Sequence, residues 1–103
     1  MELLPDTLKS RLPPLLSQEA SDEPVVYAKY ILPGTTWAWY VTEGEDEDGD
    51  FLFFGFVTGL DDEFGHFRLS ELLTLRGPDG QTVQRDESFT EGTLTNVVPA
   101  PDL

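Results

Sequence analysis

Cysteine is absent from this 103-residue chain, which excludes a disulfide framework, thiolate chemistry and cysteine-held zinc or iron–sulfur clusters. A reducing, cytoplasmic setting fits that absence. Histidine is nearly absent as well: His66 stands alone, so a two-histidine metal site is ruled out and one potential base remains. Basic residues are scarce, with 6 Lys and Arg against 20 Asp and Glu for a formal net charge of -14. Direct binding to DNA, RNA or an anionic membrane would work against the field of the whole molecule, whereas a basic protein partner would be drawn to it. Long apolar runs are missing too. The longest lies around Phe51 to Val57, far short of the ~20 residues that span a bilayer, and no basic, apolar, small-residue leader opens the chain. Neither membrane insertion nor a recognisable export signal is expected. No phosphate-cradling glycine loop, dinucleotide fingerprint or nucleophile elbow occurs, so no catalytic residue, metal ligand or cofactor is assigned.

What is present is enough for one core: 39% of the chain is hydrophobic and 12% aromatic, at the lower end of domain size. The expectation is a single α+β domain over residues 1–103, with an N-terminal helical segment within 1–16 and a frayed tail over 98–103. Leu4, Leu8 and Leu12 recur at the spacing of one helical face, with Pro5 suited to a first turn and Pro13–Pro14 to a stop. Strands are expected at Val25 to Leu32, Thr35 to Thr42, Phe51 to Thr58 and Phe64 to Leu69, with Pro33–Gly34 turning the first pair. A second short helix after the fourth strand runs through Glu71 to Arg76, with Ser70 as N-cap and Gly77 as stop. A weaker strand from Thr82 to Arg85 follows an Asp79–Gly80 turn. The architecture is a mostly antiparallel sheet of four to five strands.

Strand alternation places Trp37, Trp39 and Val41 on one face and Ala38 and Tyr40 on the other. In the next strand Phe51, Phe53 and Val57 oppose Leu52, Phe54 and Phe56, so both faces are apolar. Such a sheet is either covered on both sides by the chain's own helices and tail or leaves an aromatic patch for binding. Gly55, inside that strand, marks a bulge or the close approach of another backbone.

Between Lys29 and Arg68 no Lys or Arg occurs, yet nine carboxylates do: Glu43, Glu45, Asp46, Glu47, Asp48, Asp50, Asp61, Asp62 and Glu63. If Glu43 to Asp50 is extended, same-side carboxylates recur about every 6.8 Å, twice the roughly 3.4 Å rise per nucleotide of one strand. That spacing is a physical basis for imitating nucleic acid; a solvated acidic loop is the plainer reading. An EF-hand is excluded, because counting from Asp46 puts glycine at position 4 and Val57 where the loop needs glutamate. Arg76 and the Arg85–Asp86 pair suit structural ion pairs.

The ordered set Leu3-Leu4-Pro5, Leu12-Pro13-Pro14-Leu15, Trp37-Ala38-Trp39-Tyr40, Glu43-Gly44, Asp48-Gly49-Asp50, Phe53-Phe54-Gly55, Gly59-Leu60, Leu69-Ser70-Glu71-Leu72, Arg76-Gly77-Pro78 and Arg85-Asp86 resembles a family of small bacterial proteins. That family is known as a domain of unknown function and is carried by plasmids, conjugative elements and phages. The resemblance implies a mobile-element setting and no activity; where the family has an aromatic residue, usually tyrosine, this chain has His66.

Three readings follow. The first is a non-enzymatic acidic module, a nucleic-acid mimic in one form, that binds a basic host or defence protein through Trp37, Trp39 and the nine carboxylates. The second is a small metal-dependent or histidine-based hydrolase using His66 and nearby acids. The third is an interaction domain that self-associates through an aromatic sheet face including Trp37, Trp39 and Phe53. Oligomeric state is left open by the sequence.

Overall fold

The computed structural model describes residues 2–98. A short helix, α1 (Asp6–Lys9), comes first, and then β1 (Val25–Val26), β2 (Ala28–Ile31), β3 (Ala38–Glu47), β4 (Asp50–Thr58) and β5 (Glu63–Arg68). After them run α2 (Leu69–Thr74), β6 (Gln84–Arg85), β7 (Gly92–Thr93) and α3 (Leu94–Val97). The fold is α+β. A five-stranded antiparallel sheet has the order β5-β4-β3-β2-β6, and β1 pairs with β7 in a second, two-stranded sheet.

The N-terminal helix is shorter than the leucine spacing predicts. Pro5 and Pro13 bracket the segment, and so short a helix does not sustain itself; it ends at Ser10, and the buried leucines are Leu3, Leu8 and Leu12 rather than Leu4, Leu8 and Leu12. The expected strand from Val25 to Leu32 breaks at Tyr27. Its first half joins β7, its second half joins β3, and the Tyr27 N–H reaches the Val41 carbonyl at 2.9 Å. Of the expected frayed tail, only Val98 is described, and it packs in a small cluster with Val26, Tyr40 and Phe89; positions 99–103 lie outside the described residues.

The largest departure is in the acidic stretch, which the sequence reading treats as a connector. Glu43–Glu47 is strand, and the turn has shrunk to Asp48–Gly49, with φ of 46° and 86° at those residues. Both values are left-handed, as a two-residue hairpin turn that matches strand twist requires, and Asp-Gly is well suited to it. Register shifts between Val41 and Glu43, and Gly55 lies opposite that shift, where a Cβ would run into the Tyr40 carbonyl. Both meanings anticipated for Gly55 therefore hold together.

Face assignments follow the expected alternation. Trp39, Val41, Phe51, Phe53 and Phe67 meet Leu3, Leu8, Leu12 and Leu72 in the main core, beneath α1 and α2. On the opposite face Ala38 and Tyr40 are covered by Phe89, Leu94 and Val97 from the C-terminal segment. That cover does not extend over β5: Phe64 is 48% exposed, stacking with Phe54 at 5.8 Å and meeting Phe56 edge-on at 5.0 Å. Among the described residues, no helix is long and apolar enough to cross a membrane.

Candidate functional site, an aromatic groove with an acidic rim

The structure splits the nine carboxylates into two groups. The 43–50 group sits at the β3–β4 turn and the 61–63 group at the β4–β5 connection, so nine-residue β4 separates them. At about 3.3 Å per residue that is roughly 25–30 Å. No single acidic surface forms.

Within the first group nearly every carboxylate is engaged by the chain itself. Glu43 is 2% exposed, and its two oxygens accept the Leu16 and Gln18 N–H groups at 2.8 and 2.7 Å. Glu45 accepts the Leu15 N–H at 2.9 Å, while the Gly44 N–H reaches the Pro13 carbonyl at 3.0 Å. This end of β3 extends past β2, and the Pro13–Gln18 segment satisfies the edge left open. Asp46 pairs with Lys9 at 2.9 Å and Glu47 with Arg68 at 2.8 Å. Asp50 accepts the Ser70 hydroxyl at 2.5 Å and the Phe51 and Ser70 N–H groups. The Ser70 hydroxyl, foremost, and the Phe51 N–H hold the Asp50 carboxyl below its ordinary range. Ser70 is thus not the N-cap of α2, as its sequence position suggests; Arg68, two residues earlier, takes that place, and Asp50 meets the first turn. Nor does α2 reach Gly77. Leu75 is extended, and the Arg76 guanidinium donates to the Leu73 and Leu75 carbonyls at 2.9 and 2.8 Å. Of the first group, Asp48 alone, at the hairpin tip, has no side-chain partner among the described residues.

The second group contrasts with this. Asp61, Asp62 and Glu63 are exposed, and among the described residues their carboxylates form no ion pair or side-chain hydrogen bond. Asp61 and Glu63 share a groove with the tryptophans. Trp37 and Trp39 stack at 6.1 Å with 22° between their planes, Trp39 5% exposed and Trp37 37% exposed. Trp37 closes over Gly59, where a Cβ would lie 2.6 Å from its ring. Between this pair and α2 runs a groove of about 380 Å³, floored by Val57, Gly65 and Phe67 and rimmed by Asp61, Glu63 and Glu71. Leu60, 88% exposed, stands at its mouth.

Sequence reasoning named Trp37, Trp39, Asp61 and Glu63 and missed Gly59, Gly65 and Glu71. Glycine within or beside a strand is the available signal, since it marks room for another group to approach. His66 also borders the groove, but its ring lies against Phe54 of the opposite face, 4.9 Å away. No group of three or more His, Asp or Glu side chains able to hold a metal ion occurs among the described residues.

Chemically, indole faces attract cations through their quadrupole, and adjacent carboxylates add charge and hydrogen-bond acceptors. Fold and site define a small, acidic α+β protein that presents an aromatic groove at one edge of its sheet. The chain belongs to the family described as protein of unknown function (DUF2958), which matches residues 3–99. No curated protein and no solved structure matches it.

Proposed function

We propose that this protein is a non-enzymatic binding module that captures a basic segment of another protein in the Trp37–Trp39 groove. The observation that carries the reading is the sorting of the acids: those at the β3–β4 turn are largely engaged by the chain, whereas Asp61, Asp62 and Glu63 stand unpaired, Asp61 and Glu63 in one groove with a half-exposed indole. Carboxylates left without internal partners keep their full attraction for an incoming cation, and a net charge of -14 steers that cation toward the molecule. A cytoplasmic mobile-element setting, which the sequence resemblance implies, would make a DNA-binding protein of the host or of a rival element a natural partner. Mimicry of a phosphate row draws less support, because Glu43 and Glu45 are turned onto the Pro13–Gln18 backbone.

The test is a titration of the full chain with a short arginine-rich peptide, followed by tryptophan emission. Binding at low salt should weaken at least about tenfold as ionic strength rises from 0.05 to roughly 0.5 M, and Trp37→Ala should weaken it by a similar factor. Unchanged emission at low salt would sink the reading.

Self-association is the second reading, favoured by one observation: the open Phe54, Phe56 and Phe64 cluster on the other face. A protein that sediments as a monomer at all accessible concentrations would remove it.

A further inference from the structure

We propose that the groove is filled by strand addition: an extended segment of the basic partner pairs with the open edge of β5, presenting an apolar, cationic, apolar alternation to it. This rests on the reading above and adds to it the form of the ligand.

β5 is the terminal strand of the five-stranded sheet. Among the described residues, no group outside the β4–β5 ladder bonds to the backbone of Phe64 or His66. The Arg68 N–H turns to Glu71 Oε1 at 3.2 Å instead of to β4. In an antiparallel pair, backbone groups alternate in direction, so His66 and Phe64, two and four residues earlier, also present N–H and C=O to the open edge. An extended chain added there would bond to those two residues, as peptides do at exposed sheet edges.

The side chains of such a segment are then sorted by β5 itself. Residues opposite Phe64 and His66 fall on the outer face, against an aromatic cluster with Phe54 and Phe56 in which no carboxylate stands. That face suits apolar side chains. The residue opposite Gly65 falls on the groove face, where a Cβ built on Gly65 meets nothing within 4 Å. A lysine or arginine at that position passes over the missing side chain, with its stem on Val57 and Phe67 and its charge between Trp37 and the carboxylates of Glu63 and Glu71. A second copy of this chain is a poorer occupant, since its own Glu63 would arrive on the same acidic face and bring another -14 charges.

Two nine-residue peptides of identical composition separate the possibilities, one alternating arginine with valine, the other carrying the same residues in two blocks. Each is titrated into the full chain by tryptophan emission, and hydrogen exchange at the Phe64 and His66 amides is read by NMR. The expected result is at least about tenfold tighter binding of the alternating peptide, with both amides protected. Gly65→Val, whose Cβ enters open space, should abolish that preference while leaving the melting temperature unchanged. Equal affinities with unprotected amides would overturn strand addition and leave the salt-dependent capture of cations standing. Failure of both peptides to bind at low salt would overturn both readings. Protection that grows with protein concentration in the absence of peptide would also overturn the proposal, by giving the edge to a second copy.

Discussion

Glu43 shows how far a residue's role depends on groups distant in the chain. By composition it is one of a run of acids; by position it is an interior anchor whose oxygens take N–H groups 25 and 27 residues earlier. Charge-assisted bonds of this kind are stronger than neutral ones, and removing the acceptor strands two donors. Glu43→Ala should therefore destabilise the fold by about 2–4 kcal/mol, whereas Asp48→Asn at the hairpin tip should change stability by less than about 0.5 kcal/mol. Equilibrium denaturation checks both, and a Glu43→Ala protein as stable as the parent would refute the anchoring role. The glycine after Asp48 marks it as a turn residue, but nothing local marks Glu43 as an anchor. The partner of Glu43 is a backbone segment brought in by the fold, that of Asp48 solvent.

At the scale of elements, the periodic signals were legible and the boundaries were governed by contacts. The face assignment of Trp39 and Val41 against Ala38 and Tyr40 followed from alternation alone and matches the two clusters. The acidic stretch reads as a connector because its charge obscures two strand ends and an Asp48–Gly49 turn. Strand β6 falls at the end of the expected Thr82 to Arg85 strand, whereas β7 and α3 span only two to four residues each, too short for periodicity to show. The central joint is Gly55, whose lack of a side chain lets the Tyr40 carbonyl pass at the register shift of β3. Gly55→Ala would force the two longest strands apart at their middle, and we expect a loss of about 2–4 kcal/mol, comparable to severe overpacking. Gly65→Ala, ten residues on and facing open space, should be tolerated. Equal melting temperatures for the two variants would contradict this account of the hairpin.

For the whole molecule, the charge imbalance makes opposite predictions for folding and for binding. Asp48, Asp61 and Asp62 have no side-chain partners among the described residues to offset them, so the free protein repels itself and added salt should stabilise it. Relief of about 1 kcal/mol corresponds to a rise in melting temperature of about 4–8 °C for a domain of this size. The same salt should weaken capture of a basic segment. Acid divides the effects differently. The Ser88 hydroxyl and N–H depress Asp86 much as Ser70 and Phe51 depress Asp50. A carboxyl depressed in the fold contributes stability above its unfolded pKa, and that contribution disappears as the pH falls through the folded value. Stability should thus fall below about pH 4 as Asp50 and Asp86 take up protons. Asp50→Asn should flatten that acid limb, because asparagine has no proton to gain there. Melting temperatures that climb steadily down to pH 3 would refute the contribution of Asp50 and Asp86, whereas melting temperatures that decline with salt at pH 7 would show that the unpaired acids do not govern the energetics of the free chain, and would remove the electrostatic basis for a cationic partner.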